Sequence, residues 1–203
     1  MLSVMIAPRL QLVPWPLVLC LAGLASWPAA ASQLAGRDGP PATSFLITAE
    51  GMGGLTLGMT LEQARRTLKG VLFERTSDGD GAALVTVTLP GGHHVVVFAT
   101  EEDPDTSIDW TRPIALVETF EPAFATVEGV RVGMLVTEVA TRFGPVREIV
   151  RSEIESREYV TFDRQPPALR VRLDYSGVFT GSNRTTKHRP DAKIFSIAVS
   201  VVE

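Results

Sequence analysis

Cysteine is almost missing: its one copy, Cys20, lies inside an apolar N-terminal stretch. The rest of the chain therefore offers no disulfide, no thiolate ligand and no thiol nucleophile. Histidine is scarce too, at three copies. His93 and His94 are adjacent at the start of a strand-like run, where side chains alternate between faces, so they cannot jointly hold one ion; His188 is remote in sequence. Asp103-Pro104-Asp105-Thr106-Ser107-Ile108-Asp109 mimics the opening of a calcium loop, but Ile108 stands where glycine is needed and Ile114 where the bidentate glutamate belongs. Gly51, Gly53 and Gly54 are not followed by a lysine at phosphate-loop spacing. Neither Gly-x-Ser-x-Gly nor Ser-x-x-Lys occurs after residue 31. No metal, no cofactor and no catalytic residues are expected, and the chain reads as a non-enzyme.

An excess of basic charge is also lacking. The net charge is −4, and the first 31 residues hold one Arg and no acid, so the remainder is more negative still. Nucleic acid is excluded as a partner, because a polyanion is bound by a basic surface that displaces its counterions.

What is present begins with Arg9 and a charge-free stretch from Leu10 to Ala31, ending in Ala29-Ala30-Ala31. That is the layout of a secretory signal peptide (1–31) with small residues at the cleavage point. The alternatives are an uncleaved anchor, which Pro14, Pro16 and Pro28 disfavour, and a lipoprotein modified at Cys20, which the bulky Leu19 disfavours. The expected location is periplasmic or secreted, without stable membrane insertion after signal removal. Residues 32–44, rich in small residues, Gly and Pro, read as a flexible leader.

Beyond it the sequence repeats itself. Gly54-Leu55-Thr56-Leu57-Gly58-Met59 aligns without a gap with Gly129-Val130-Arg131-Val132-Gly133-Met134. Leu61, Ala64 and Leu68 fall on Val136, Val139 and Phe143, the narrow apolar stripe of a short amphipathic helix. Thr60 and Gln63 form a capping box in the first copy, which the second lacks at Leu135. Four strand-like segments follow each helix, and Leu169, Val171 and Leu173 alternate with Arg170 and Arg172 as in a sheet covered on one face. The expected fold is α+β: a tandem duplication of a helix plus a four-stranded antiparallel sheet, at 45–122 and 123–203, forming one sheet of about eight strands with helices on one face.

The twice-occurring G-[LV]-x-[LV]-G-M segment, followed by a helix and antiparallel strands, resembles the tandem-repeat fold of the β-lactamase inhibitory proteins. A single unit is similar to small envelope lipoproteins of the SmpA/BamE type. The resemblance implies a saddle-like sheet whose concave face holds another protein.

Two long loops differ in charge. The connection 101–113 carries Glu101, Glu102, Asp103, Asp105 and Asp109 beside Trp110; the connection 177–193 carries Arg184, Lys187, His188 and Arg189. Loops of this length often carry function, so these ten residues are the candidate partner-binding positions. The function expected is an exported binding module for another envelope or extracellular protein. The alternatives are a small-ligand or lipid binder using a cleft near Phe120, Phe124 and Phe179, and a hydrolase with an unrecognised site.

Overall fold

The computed structural model describes residues 45–98 and 103–201. The expected signal peptide and leader, with Cys20, lie outside the described residues. In chain order the elements are β1 (Leu46–Ile47), β2 (Gly51–Met52), β3 (Leu55–Thr56), α1 (Leu61–Thr67), β4 (Leu72–Ser77), β5 (Ala83–Leu89), β6 (His93–Phe98) and β7 (Leu116–Thr119). They continue with β8 (Ala125–Thr126), α2 (Val136–Phe143), β9 (Val146–Arg151), β10 (Glu158–Phe162), β11 (Leu169–Leu173), β12 (Arg184–Thr185) and β13 (Ile194–Ser200).

Both helices are short and depend on their ends. Helix α1 starts in the expected capping box: the Gln63 amide donates to Thr60 Oγ1 at 3.1 Å, and the Thr60 amide to Gln63 Oε1 at 2.8 Å. Helix α2 has no polar side chain at its cap. Instead Glu138 accepts from the Leu135 amide at 2.8 Å, and the Ala192 carbonyl accepts from the Val136 amide at 2.9 Å. Gly58 and Gly133 precede the helices at φ 79° and 84°, a left-handed turn that glycine adopts without strain.

Nine strands form one antiparallel sheet in the order β12-β9-β10-β11-β13-β7-β6-β5-β4. Period-2 alternation decides which face is covered. Val85 and Val87 of β5, Val95 and Val97 of β6, and Val171 and Leu173 of β11 are buried together with Leu61 and Ala64 of α1 and Val136, Val139 and Phe143 of α2 in one core. At about 25 cal/mol per Å2, an apolar layer of this kind is the main stabilising term of the fold. The opposite face of the sheet carries the other members of each alternation, polar at Glu118, Arg170 and Arg172 and apolar at Leu116 and Ala198.

This architecture corrects the expected one. The chain is mostly β rather than a duplicated helix-plus-sheet unit: the main sheet has nine strands, and a separate sheet runs β3-β2-β1-β8. Two physical reasons account for the difference. The long second loop supplies an edge strand, β12, which pairs with β9. The segments before the helices pair with each other across the expected boundary at 122 and 123, β1 lying parallel to β8 through Leu46↔Ala125 and Ile47↔Thr126. The two G-x-x-x-G-M segments are alike locally, and that likeness does not extend to a duplicated whole.

Candidate functional site

The open face of the nine-stranded sheet is not flat. Following the antiparallel order, the β4–β5 turn lies at one end of the strands and the β9–β10 turn at the other, near opposite edges of the sheet. In a flat sheet, the five spacings between β5 and β10 alone would separate these turns by about 24 Å. Yet Arg157, leading into β10, reaches Asp78 and Asp80 in the β4–β5 turn at 3.0 Å each, and Glu155 at 3.0 Å. Twist and coil have therefore brought two diagonally opposed corners together over the open face.

Hydrogen bonds and opposite charge favour the charged forms of Arg157 and Asp78. Partial burial works against the charge of Arg157, but the hydrogen bond to Asp78 and the nearby Glu155 outweigh it and hold its pKa above the ordinary arginine value. Burial likewise opposes ionisation of Asp78. Hydrogen bonds from the Ala82 amide, Arg157 and the Asp80 amide nonetheless lower its carboxyl below the usual range. Carboxylate oxygens of Asp78, Asp80 and Glu155 lie within 4.8 Å of one another, a spacing that suits a cation, and a guanidinium bonded to all three supplies the positive charge.

Beneath this joined corner lies a cavity of about 150 Å3, and Glu155 and Arg157 contribute to its wall. Its floor is the centre of the sheet: Leu116 and Glu118 of β7, Ser196 and Ala198 of β13, Arg170 and Arg172 of β11, and Tyr159 of β10. The floor's carboxylate is engaged, since Ser196 Oγ donates to Glu118 Oε1. The two arginines have no carboxylate within ion-pair distance among the described residues. Aromatic rings hold them instead: Arg170 lies 4.9 Å from the Tyr159 ring, and Arg172 lies 4.8 Å from Phe195 and 5.9 Å from Tyr175. Arg172 Nη2 donates to the Tyr175 hydroxyl at 3.1 Å, while its buried Nε has no partner.

Local backbone features present these side chains. A bulge between Arg172 and Leu173 places Phe195 and Ser196 opposite one residue of β11. Phe195 then packs edge-on against Phe120 at 5.5 Å. Two non-glycine residues adopt positive φ, Ser156 at 54° between Glu155 and Arg157, and Tyr175 at 62° beside Arg172. Such backbone costs on the order of 1–3 kcal/mol and collects at sites where geometry matters. Chemically, the arrangement offers two oriented guanidinium donors and exposed aromatic rings. No histidine lines the cavity.

The sequence-predicted loops lie elsewhere. Glu101 and Glu102 fall outside the described residues. Asp103 folds its own turn, accepting from the Asp105 amide at 2.9 Å, with Asp105 exposed. Asp109 is held by the Thr111 hydroxyl and amide and by Arg112, whose hydrogen bonds keep its carboxyl below the usual range. Trp110 is half-buried between Phe73, at 5.5 Å, and the Arg65 guanidinium, at 4.3 Å. The loop's backbone serves the fold: Arg75 donates to the Thr106 and Ser107 carbonyls at 3.1 Å each, and the Arg112 and Trp110 carbonyls accept the Leu61 and Glu62 amides.

In the second loop Arg184 lies on β12 and grips both Glu148 oxygens at 2.7 Å. Arg189 pairs with Asp191 at 3.4 Å, and His188 Nδ1 is 2.8 Å from the Arg189 carbonyl. Lys187 is exposed. The first loop joins β6 to β7 and packs against β4 through Arg75, the second joins β11 to β13 and packs against β9 through Arg184, and no ion pair joins the two among the described residues. The three phenylalanines of the alternative cleft do not converge either: Phe124 is fully buried, Phe179 packs under Arg151 at 4.0 Å, and Phe120 faces out.

Sequence reasoning missed Arg157, Tyr159, Arg170, Arg172, Glu118 and Ser196. The signal for two of them was the Leu-Arg-Val-Arg-Leu alternation itself, which marks Arg170 and Arg172 as the uncovered face of a strand.

No family model matches the chain, and no curated protein matches it. Among solved structures it is similar to the crystal structure of the uncharacterized protein yfeY from Escherichia coli, at a TM-score of 0.46 and 16% identity, over 78% of this chain and 100% of that one.

Proposed function

We propose that the protein is an exported, non-enzymatic binding module of the periplasm or cell exterior, whose partner is another protein seated on the open face of the nine-stranded sheet. The observation that carries this reading is the groove under the joined corner, floored by two arginines that have no carboxylate partner among the described residues and flanked by Phe120 and Phe195, each 41% exposed. Aromatic rings and arginines are the residues that dominate binding energy at protein interfaces. Among the described residues no helix is long and apolar enough to cross a membrane.

The test is photo-crosslinking in envelope extract, with benzoylphenylalanine in place of Phe195 and, separately, of Asp105 and Lys187. A discrete crosslinked protein at position 195 is the expected result. Crosslinks at positions 105 or 187 alone would move the interface to the charged loops, and none anywhere would defeat protein binding. A second reading, a small-ligand binder, is favoured by the cavity's size, about 150 Å3. Native mass spectrometry of protein taken from the envelope would then reveal a bound species of low mass.

A further inference from the structure

We propose that the groove anchors an acidic side chain of the protein partner between Arg170 and Arg172, with an apolar neighbour of that acid seated on the Phe120–Phe195 pair. The inference rests on the binding reading above and specifies its chemistry. The two floor guanidiniums without an ion pair, rather than the summed charge of the wall, point to an anionic occupant, because a serine hydroxyl is no counter-charge for Glu118. Arg157 is bonded to three carboxylates, one of them Glu155, and Glu118 accepts from Ser196. Of the three arginines that line the cavity, Arg170 and Arg172 are the two without an ionic partner among the described residues, in a chain whose net charge is −4.

Their geometry adds to the case. A guanidinium stacked on a ring has lost little of its donor capacity and much of its freedom, so the ordering cost of gripping a carboxylate is lowered in advance. Arg172 also keeps a buried Nε–H without an acceptor, a group whose burial is unfavourable until an acceptor arrives. A carboxylate drawn in between the two side chains would meet it once the Arg172 side chain turns that edge outward, in the planar two-bond geometry that guanidinium favours.

Size and surroundings select the occupant. Glu118 and Glu155 in the lining disfavour a doubly charged phosphate, and a cavity of about 150 Å3 accommodates a single acidic side chain. The exposed Phe120 and Phe195 rings meet edge-on at 5.5 Å, and Phe195 touches Arg172, so the cationic floor continues directly into an aromatic surface. An acid next to an aromatic or aliphatic residue on one exposed segment fits both.

The experiment titrates the 15N-labelled protein with acetyl-Gly-Glu-Phe-Gly-amide, its Gln counterpart acetyl-Gly-Gln-Phe-Gly-amide, and inorganic phosphate, following the Nε–Hε resonances of Arg170 and Arg172. The Glu peptide should shift both resonances and bind about tenfold tighter than the Gln peptide, as expected for charge-assisted hydrogen bonds. In the double variant Arg170→Gln with Arg172→Gln that preference should vanish, with a melting temperature matching the wild type. Equal affinities for the two peptides overturn the proposal, as does phosphate shifting the arginines where the Glu peptide does not. Crosslinking at position 195 separates the two levels. A crosslink that persists in the double variant overturns the carboxylate anchor and leaves partner binding standing; no crosslink in the wild type defeats partner binding and this inference with it.

Discussion

Arg157 concentrates more ionic contact than any other described residue, and its removal should be felt. Replacing it with Met leaves Asp78, Asp80 and Glu155 facing one another without a cation, at an expected cost of about 1–3 kcal/mol in urea unfolding. Millimolar calcium should restore part of that loss in the variant and leave the wild type unchanged, because the three carboxylates then offer a cation their oxygens. A variant indifferent to calcium would show that the corner springs apart once the guanidinium is gone. Acid should act on Asp78 and, away from this cluster, on Glu121, which His93 holds at 2.7 Å. Asp78 and Glu121 both titrate below their ordinary values of 3.8 and 4.5, partial burial being outweighed by hydrogen bonds, to Glu121 from His93 and the His94 amide. The folded carboxyls bind protons more weakly than the unfolded ones, so their stabilisation is complete above about pH 5 and is lost as pH falls through the folded values. The melting temperature should fall from pH 5 to pH 3, and Asp78→Asn should flatten that slope.

Among the elements, the helices show how far a sequence speaks for itself. The apolar stripe is correct where it names Leu61, Ala64, Val136, Val139 and Phe143, all buried. It overreaches at Leu68, which leaves the helix as its C-cap at ψ 122° and is only half-buried. Phe143→Ala and Leu61→Ala should each cost about 2–5 kcal/mol in thermal or urea unfolding, and Leu68→Ala distinctly less. Thr60→Ala should cost about 1 kcal/mol through loss of the cap. Strands of five to seven residues, such as β5 and β11, are legible because alternation has room to repeat. β1, β2, β3, β8 and β12 have two residues each and show no period at all. The separate sheet and the ninth strand were invisible for that reason. The groove was invisible for another: Arg157 meets Asp78 across 79 positions of sequence, and only the curl of the sheet joins them.

At the scale of the whole molecule, the strand that comes last in sequence is the middle one in space. β13 is fifth of the nine and is the only strand that joins β7 to β11. The register Val117↔Val199 therefore sets a high contact order: four strands can assemble as β4 to β7 and three as β9 to β11, but neither group has its central neighbour until Ile194–Ser200 arrives. Folding of such non-local sheets is slow, in the millisecond-to-second range. A chain cut after Lys193 should not survive as two half-sheets, because β7 and β11 would each present an open edge lined by Leu116, Val117, Leu169 and Val171. Circular dichroism and light scattering on that truncated chain should report lost sheet and aggregation. In the intact chain, the same edges must stay unpaired until the final segment is in place, which makes the wait for β13 the interval in which the chain is most exposed to aggregation.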